Sequence, residues 1–418
     1  MRRALLLGTT VLLGIAVAIP AGRPRPAAAA AADTAVVSKS IAFFEGKLAG
    51  DPTNTMVANR LADRYALRFQ TGARLADLKR AEALARLNLK HNPDEGAALA
   101  RLSSVLLMQH GFVEAYESAR RAVRLDPGRQ GAVAALYDAA IASGRYAEAD
   151  AAFGFLEAGS VAWTIRHAQR LDAFGRQDSA YREMADACRQ LEKAGARPPV
   201  LAWCLTELAA IEHTRAGAGA MDRLLGAALE AQPGYRGALE KRAELLAAGG
   251  RTADAREIYD AIATDAHPDL YLRLAETLQQ LGDAPAARHW EGEFLRVARD
   301  PEAEALYAHP LALYYAERRL TLDTARAIAL RDLDRRSAVE GWDILSWIEF
   351  RRGDAHAALA ASDRAFAWAS PTATRRYHRA RILQALGCNA EAEPLLRSAL
   401  ADPTQLEPHV RAAILNGR

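Results

Sequence analysis

Apolar residues recur at helical spacing along most of the chain, and they do so in pairs of short segments. The clearest pair is Gly96–Pro127. In its first half Leu99, Leu102 and Leu106 form one apolar stripe, as on a helix that buries a single face. Gly111 interrupts the pattern where the chain must reverse, and the stripe restarts directly after it. The pattern therefore predicts two antiparallel helices, a helical hairpin.

Small residues lie where the two helices of this hairpin face each other. Ser103 in the first helix and Ala115 in the second are twelve positions apart. Small side chains there let the two backbones approach closely, while larger apolar residues fill the remaining space. Such a hairpin cannot bury both of its faces alone, so it needs neighbours of the same kind.

The same pair of small residues returns along the chain. It recurs as Ala168/Ala180, Ala243/Ala255, Ala275/Ala287, Ser346/Ala358 and Ala380/Ala392, while Tyr137/Ala149 and Ala209/Met221 keep the spacing. The turns fall at His110, Gly144, Gly175, Ala216, Gly250, Gly282, Gly353 and Gly387. Their spacings are 34, 31, 41, 34, 32, 71 and 34 residues, where the 71 is two periods with a weaker hairpin around 318–323. The chain is thus a tandem repeat of about 34 residues.

This pattern resembles the tetratricopeptide repeat. In the second hairpin the matching residues are Leu102-Ser103, Phe112, Glu114-Ala115, Ala122 and Leu125-Asp126-Pro127. The resemblance implies an all-α, right-handed solenoid of about ten helical hairpins. A helix near 36–48 is expected before the first hairpin, and a final helix at 406–416 is expected to cover the last apolar face.

A proline-containing segment, AGARPPV at 194–200, interrupts the repeats and accounts for the 41-residue spacing. Proline restricts the backbone of the residue before it and favours a break between helices. We interpret the segment as a bend, or as the boundary between an N-terminal stack at 33–198 and a C-terminal stack at 199–418.

The first 32 residues have the pattern of an export signal. Arg2 and Arg3 precede an apolar run at 4–19, which is followed by Pro20 and an alanine-rich stretch that ends at Ala32. A positive start, an apolar stretch and small residues before a cleavage point are typical of a secretory signal. The run is shorter than the ~20 residues of a spanning helix, and an uncleaved N-terminal anchor is the alternative. The two arginines fit an ordinary signal and a twin-arginine signal alike.

Composition and motifs exclude several classes of function. The formal net charge is only +3, from 54 basic and 51 acidic residues, so the sequence has no electrostatic footprint for a nucleic-acid partner. Glu212-His213 lacks the second histidine of a zinc-protease motif, and Asp222 stands where a phosphate loop would need a third glycine. No serine lies in a nucleophile elbow. We therefore predict a protein that is not an enzyme and that has no cofactor and no metal site.

The three cysteines leave at least one thiol unpaired. Cys188 lies on the second helix of the fourth hairpin and Cys204 on the first helix of the fifth, which stacked repeats place side by side. They form a disulfide if their Cα atoms come within ~7 Å. Otherwise they are two buried thiols that act as small apolar residues. Cys388 lies in the last turn and is expected to be more exposed.

In tetratricopeptide proteins the first helix of each repeat lines a concave groove that contacts ligands. By this register the groove includes Asp343, Trp347, Phe350, Tyr377 and Arg381, which we predict to bind a partner. Aromatic side chains interleaved with arginine and aspartate are typical of peptide-binding surfaces. The alternative is that Trp347 and Phe350 pack into the next repeat.

The middle of the same groove is acidic, at Glu240, Glu244 and Glu276, and favours a polar, extended ligand. The resemblance thus implies a non-catalytic protein–protein interaction scaffold of the cell envelope that binds peptide segments or partner domains. The N-terminal signal implies a periplasmic or secreted location, or membrane anchoring if the signal is not cleaved. The alternative function is a membrane-tethered adaptor subunit of an envelope machine for secretion or polymer export.

Overall fold

The computed structural model describes residues 28–72, 75–263, 268–300, 303–318 and 321–415. The predicted export signal at 1–32 therefore lies almost entirely outside the described residues. Within these ranges the chain forms α-helices and one short 3₁₀ helix, with no β-strand. No helix in the described part of the chain is both long and apolar enough to cross a bilayer.

The helices follow one another with short connections. They are α1 Ala28–Gly50, α2 Thr55–Gly72, α3 Leu75–His91, α4 Gly96–Met108, α5 Phe112–Leu125, α6 Gln130–Ala142, α7 Tyr146–Gly154, α8 Val161–Ala173, α9 Gln177–Lys193, α10 Pro198–Ala216 and α11 Ala218–Ala231. The second half has α12 Arg236–Ala248, α13 Thr252–Ile262, α14 Pro268–Gln280, α15 Ala284–Ala298, α16 Glu304–Arg318, α17 Leu322–Arg335, α18 Val339–Arg352, α19 Ala355–Ala365, α20 Ala373–Ala385 and α21 Asn389–Leu400. A 3₁₀ turn at Pro403–Gln405 and α22, Pro408–Leu415, complete the described chain.

Helices α2 to α21 pair into ten hairpins, which confirms the predicted solenoid. Each first helix packs on its own second helix, and neighbouring hairpins contact each other. The third and fourth hairpins do so through Phe153 with Trp163 and through Asp138 with Arg166. The predicted small residues lie in these contacts, since Ser103, Ala115, Ala255 and Ala287 are all buried. Burial of small residues at every level sets the close spacing of the stack.

The turns between paired helices need a left-handed backbone, which explains their glycines. Gly144 has φ +73° and Gly250 has φ +79°. Among the described residues His110, with φ 59°, is the only residue other than glycine with positive φ. The turn predicted at Ala216 is corrected by one position, because Gly217 adopts φ 85° while Ala216 ends α10.

Packing is continuous across the proline segment between α9 and α10. Cys188 and Cys204 form a disulfide there, with their Cα atoms 5.6 Å apart. One apolar cluster extends from Ile165 on α8 to Ala238 on α12 and so contains both sides of the segment. Of the two alternatives for the cysteines, the structure has the bonded pair. The division into two stacks at 198/199 stays a prediction.

The solenoid coils so far that later repeats rest on earlier ones. The backbone N–H of Ser337 donates to the carbonyl of Ser143 at 3.2 Å, and that of Ser370 donates to the carbonyl of Ala173 at 3.1 Å. Tyr146 and Trp368 stack with ring centroids 4.1 Å apart and planes 7° apart. We call the contact of 143–146 and 173–174 with 337–339 and 368–370 the inter-turn contact.

The hydrogen bonds between consecutive turns join residues at a nearly constant separation along the chain. The hydroxyl of Tyr146 accepts from the backbone N–H of Val339, 193 residues later, at 3.0 Å. His213 Nε2 hydrogen-bonds Thr404 Oγ1, 191 residues later, at 2.8 Å. One superhelical turn therefore takes between five and six repeats of about 34 residues. Consecutive turns therefore touch, and the surface that the sequence analysis assigns to the first helices is called the groove below.

Candidate functional site

The structure brings all five predicted partner-binding residues together near the C-terminal end of the groove. The rings of Trp347 and Phe350 stack with centroids 5.0 Å apart, and those of Trp347 and Tyr377 lie 6.2 Å apart. Arg381 donates to the hydroxyl of Tyr377 at 2.9 Å. Asp343 joins the cluster through a hydrogen bond of 3.2 Å to Nδ1 of His378.

Burial divides this cluster into a packed part and an accessible part. Trp347 and Tyr377 are each only 2% exposed, and Asp343 is also buried. The Trp347 indole N–H donates to Glu317, and its ring stacks on His378 at 4.2 Å. In this arrangement neither large ring is available to a partner, and for Trp347 the packing alternative describes the structure. Phe350 and Arg381 are half-buried and form the accessible part.

His378 was missed by the sequence analysis, although it holds the cluster together. Its ring lies between Trp347 and His409, and its Nε2 is 3.2 Å from Nε2 of His409. His409 belongs to the C-terminal helix α22. The one available signal in the sequence was that His378 lies next to the predicted site residue Tyr377 on α20. A single histidine at this position does not indicate that it contacts His409, thirty-one residues later.

Acid–base pairs connect the first helices of neighbouring hairpins. Each joins a carboxylate on one first helix to a basic group on the next: Arg101 to Asp63 at 2.6 Å, Arg166 to Asp138 at 3.0 Å, Arg273 to Glu244 at 3.7 Å and Arg375 to Glu340 at 3.0 Å. Burial raises the pKa of Asp138, and the adjacent Arg166 opposes that shift. Because these carboxylates have internal partners, much of the charge seen in the sequence is already balanced.

Each of the predicted acidic residues in the middle of the groove has a basic neighbour. Glu240 accepts a hydrogen bond from Arg236 at 2.8 Å. Burial raises the pKa of Glu276, whereas Arg273 and Arg411 lower it. Burial by itself lowers the pKa of Arg273, but Glu244 and Glu276 raise it overall. Glu244, Arg273 and Glu276 therefore lie close enough to act on one another electrostatically.

Nothing in the described ranges resembles a metal centre, since no group of three or more His, Cys, Asp or Glu side chains is placed to hold an ion.

The ten hairpins, in register with the 34-residue pattern, define an all-α solenoid of the tetratricopeptide type. No protein-family model matches the sequence. No curated protein matches it either.

Several solved structures are similar in fold. They include a human IFIT1 dimer with m7Gppp-AAAA (15% identity, 74% of this chain, 71% of that chain, TM-score 0.49). A tetratricopeptide repeat protein from Parabacteroides merdae shares 19% identity over 62% of this chain and 98% of its own, with TM-score 0.35. PilF from Pseudomonas aeruginosa shares 16% identity over 51% and 96%, with TM-score 0.37. At these identities and TM-scores the likeness carries no functional argument.

Proposed function

We propose that this protein is a non-catalytic protein–protein interaction scaffold of the cell envelope, which binds a peptide segment or partner domain in its groove. The main supporting observation is the inner surface at the C-terminal end. Half-buried Phe350 lies there against the ring of Trp347, and half-buried Arg381 lies against the hydroxyl of Tyr377. An apolar anchor bordered by polar groups is the usual composition of a protein-binding surface.

Two observations support export from the cytoplasm. The first 32 residues have the pattern of a secretory signal. Cys188 and Cys204 form a disulfide, a bond that persists mainly in oxidising compartments. We therefore place the scaffold in the periplasm or outside the cell.

The N-terminus distinguishes this proposal from the tethered adaptor. A native chain that begins after Ala32 and fractionates with soluble envelope proteins supports the free scaffold. A native chain that keeps Met1 and sediments with membranes supports the adaptor of a secretion or polymer-export machine. Mass spectrometry of the purified native N-terminus gives the answer directly.

Site-specific crosslinking tests the groove itself. A photoreactive phenylalanine analogue replaces Phe350 in the groove or, as a matched control, Phe155, which is 72% exposed at the end of α7. Irradiation in intact envelopes is expected to yield discrete adducts from position 350 and none from position 155. Adducts from position 155 alone, or none from position 350 in a folded chain, would overturn the proposed binding surface.

A further inference from the structure

The C-terminal segment, residues 402–415, does more than cover the last hairpin. Thr404 hydrogen-bonds His213 on α10, and the side-chain amide of Gln405 donates to the carbonyl of His213 at 3.4 Å. The backbone N–H of Glu407 donates to Oγ1 of Thr374 on α20 at 3.0 Å. The segment therefore lies between two turns of the superhelix and forms hydrogen bonds with both.

Two apolar side chains of the segment enter the aromatic cluster of the groove. Leu406 and Val410 are buried, four positions apart, and pack with Trp347, Ala373 and Tyr377. These include the two rings that the sequence predicts as partner anchors. Their burial is thus due in part to this segment.

The polar side chains of the segment complement the groove as well. His409 faces His378 at 3.2 Å and lies 6.4 Å from the Trp347 ring. Burial and the nearby Arg273 lower the pKa of Arg411, while Glu244 and Glu276 lie close enough to oppose that shift. The two carboxylates attract a cation at this position, against the cost of its burial and of the neighbouring Arg273.

We infer that the C-terminal segment is a built-in occupant of the partner site, and that the external partner is a helical peptide with the same chemistry. Such a peptide carries two apolar residues four positions apart, an imidazole or aromatic ring, and a cation at the position of Arg411. This inference rests on the proposed function, because it describes the partner of the same groove. Binding then requires the partner to displace the chain's own segment.

A labelled synthetic peptide of residues 402–418 serves as the probe, and its affinity is measured by fluorescence anisotropy on the full-length mature chain. In the Val410→Asp variant a buried carboxylate expels the segment, and we expect at least tenfold tighter peptide binding than in the unchanged chain. Arg411→Glu keeps the apolar anchors and is expected to give a smaller increase. Arg397→Glu, on an exposed arginine of α21, is the matched control and is expected to leave binding unchanged.

The peptide is varied in parallel. A peptide with glutamate at the position of Arg411 is expected to bind the Val410→Asp chain at least tenfold more weakly than the native peptide. Circular dichroism shows whether each variant keeps its helices. If Val410→Asp does not fold, the Arg411→Glu variant alone tests whether the segment competes with the peptide. Equal peptide affinity of the unchanged, Arg411→Glu and Val410→Asp chains, or no binding to folded variants, would overturn the inference.

The two proposals fail in different ways. If the peptide does not bind folded variants but crosslinks still form at position 350, the scaffold stands and its partner has another chemistry. If the peptide binds but position 350 gives no crosslinks in envelopes, the segment is a displaceable internal contact and the proposed function fails.

Discussion

Gly144 and Gly250 occupy the same position in two turns of the repeat and differ in what surrounds them. Both have positive φ, which explains the choice of glycine at each. A Cβ at Gly144 would lie 2.4 Å from the backbone of Ser337, whereas one at Gly250 would meet nothing within 4 Å. The sequence predicts both turns but not this difference, because Ser337 lies almost two hundred positions away.

Alanine substitution at the two glycines separates backbone strain from the inter-turn contact. Gly250→Ala is expected to cost about 1–2 kcal/mol, from the left-handed conformation alone. Gly144→Ala adds a clash with Ser337 and is expected to cost about 1–3 kcal/mol more. Denaturant unfolding of both variants measures the difference. Equal destabilisation would show that the turns do not touch at this point.

His409 gives the docking of α22 a pH dependence. Burial, with a contribution from His378, lowers its pKa to about 3. Since the unfolded chain binds a proton near pH 6.5 and the folded chain does not, stability falls as the pH drops through the interval between these values. Burial raises the pKa of Glu276 and of Glu407, and these carboxyls act in the opposite direction.

Comparison with His409→Gln isolates the histidine contribution. Between pH 7 and pH 5 the free energy of unfolding of the unchanged chain is expected to fall by about 2 kcal/mol because of His409. The variant is expected not to show this decrease. Thermal unfolding of both proteins at the two pH values gives the double difference. The same pH dependence in both would show that His409 titrates normally in the folded chain.

The paired helices were the most predictable part of the molecule. Their signal is local, because each hairpin places small residues twelve positions apart around a short turn. The pairing of Cys188 with Cys204 was only one of two alternatives in the sequence, since a buried thiol and a half-cystine require similar surroundings. Their Cα separation of 5.6 Å depends on how α9 and α10 stack. No local sequence pattern predicts that stacking.

Overpacking tests the register of these helices. Ala255 and Ala287 are almost fully buried between helices, so replacement of either by leucine is expected to cost about 1–3 kcal/mol. Ala151→Leu, on the exposed face of α7, is the matched control and is expected to change stability by less than about 0.5 kcal/mol. Unchanged thermal midpoints for both buried variants would show that the register is wrong.

The coiling of the whole molecule could not be predicted from the repeats. Each hairpin adds a small rotation, and the position of the next superhelical turn depends on the sum of these rotations. The stacking of Tyr146 on Trp368 and the docking of the C-terminal segment are products of that sum. The sequence left open whether Trp347 packs into the next repeat, and it gave no indication that the C-terminal segment packs with Trp347 and Tyr377.

An engineered disulfide reports most directly on whether consecutive turns enclose the groove. Ser143→Cys and Ser337→Cys are combined in a chain that also carries Cys388→Ser, because Cys388 is the free thiol of the described chain. The backbones of residues 143 and 337 are joined by a hydrogen bond of 3.2 Å. Under mild oxidation we expect a 143–337 crosslink in most molecules, seen by mass spectrometry of unreduced fragments, with native helix content. Two thiols that stay free and react with maleimide in a fully helical chain would contradict the enclosed superhelix.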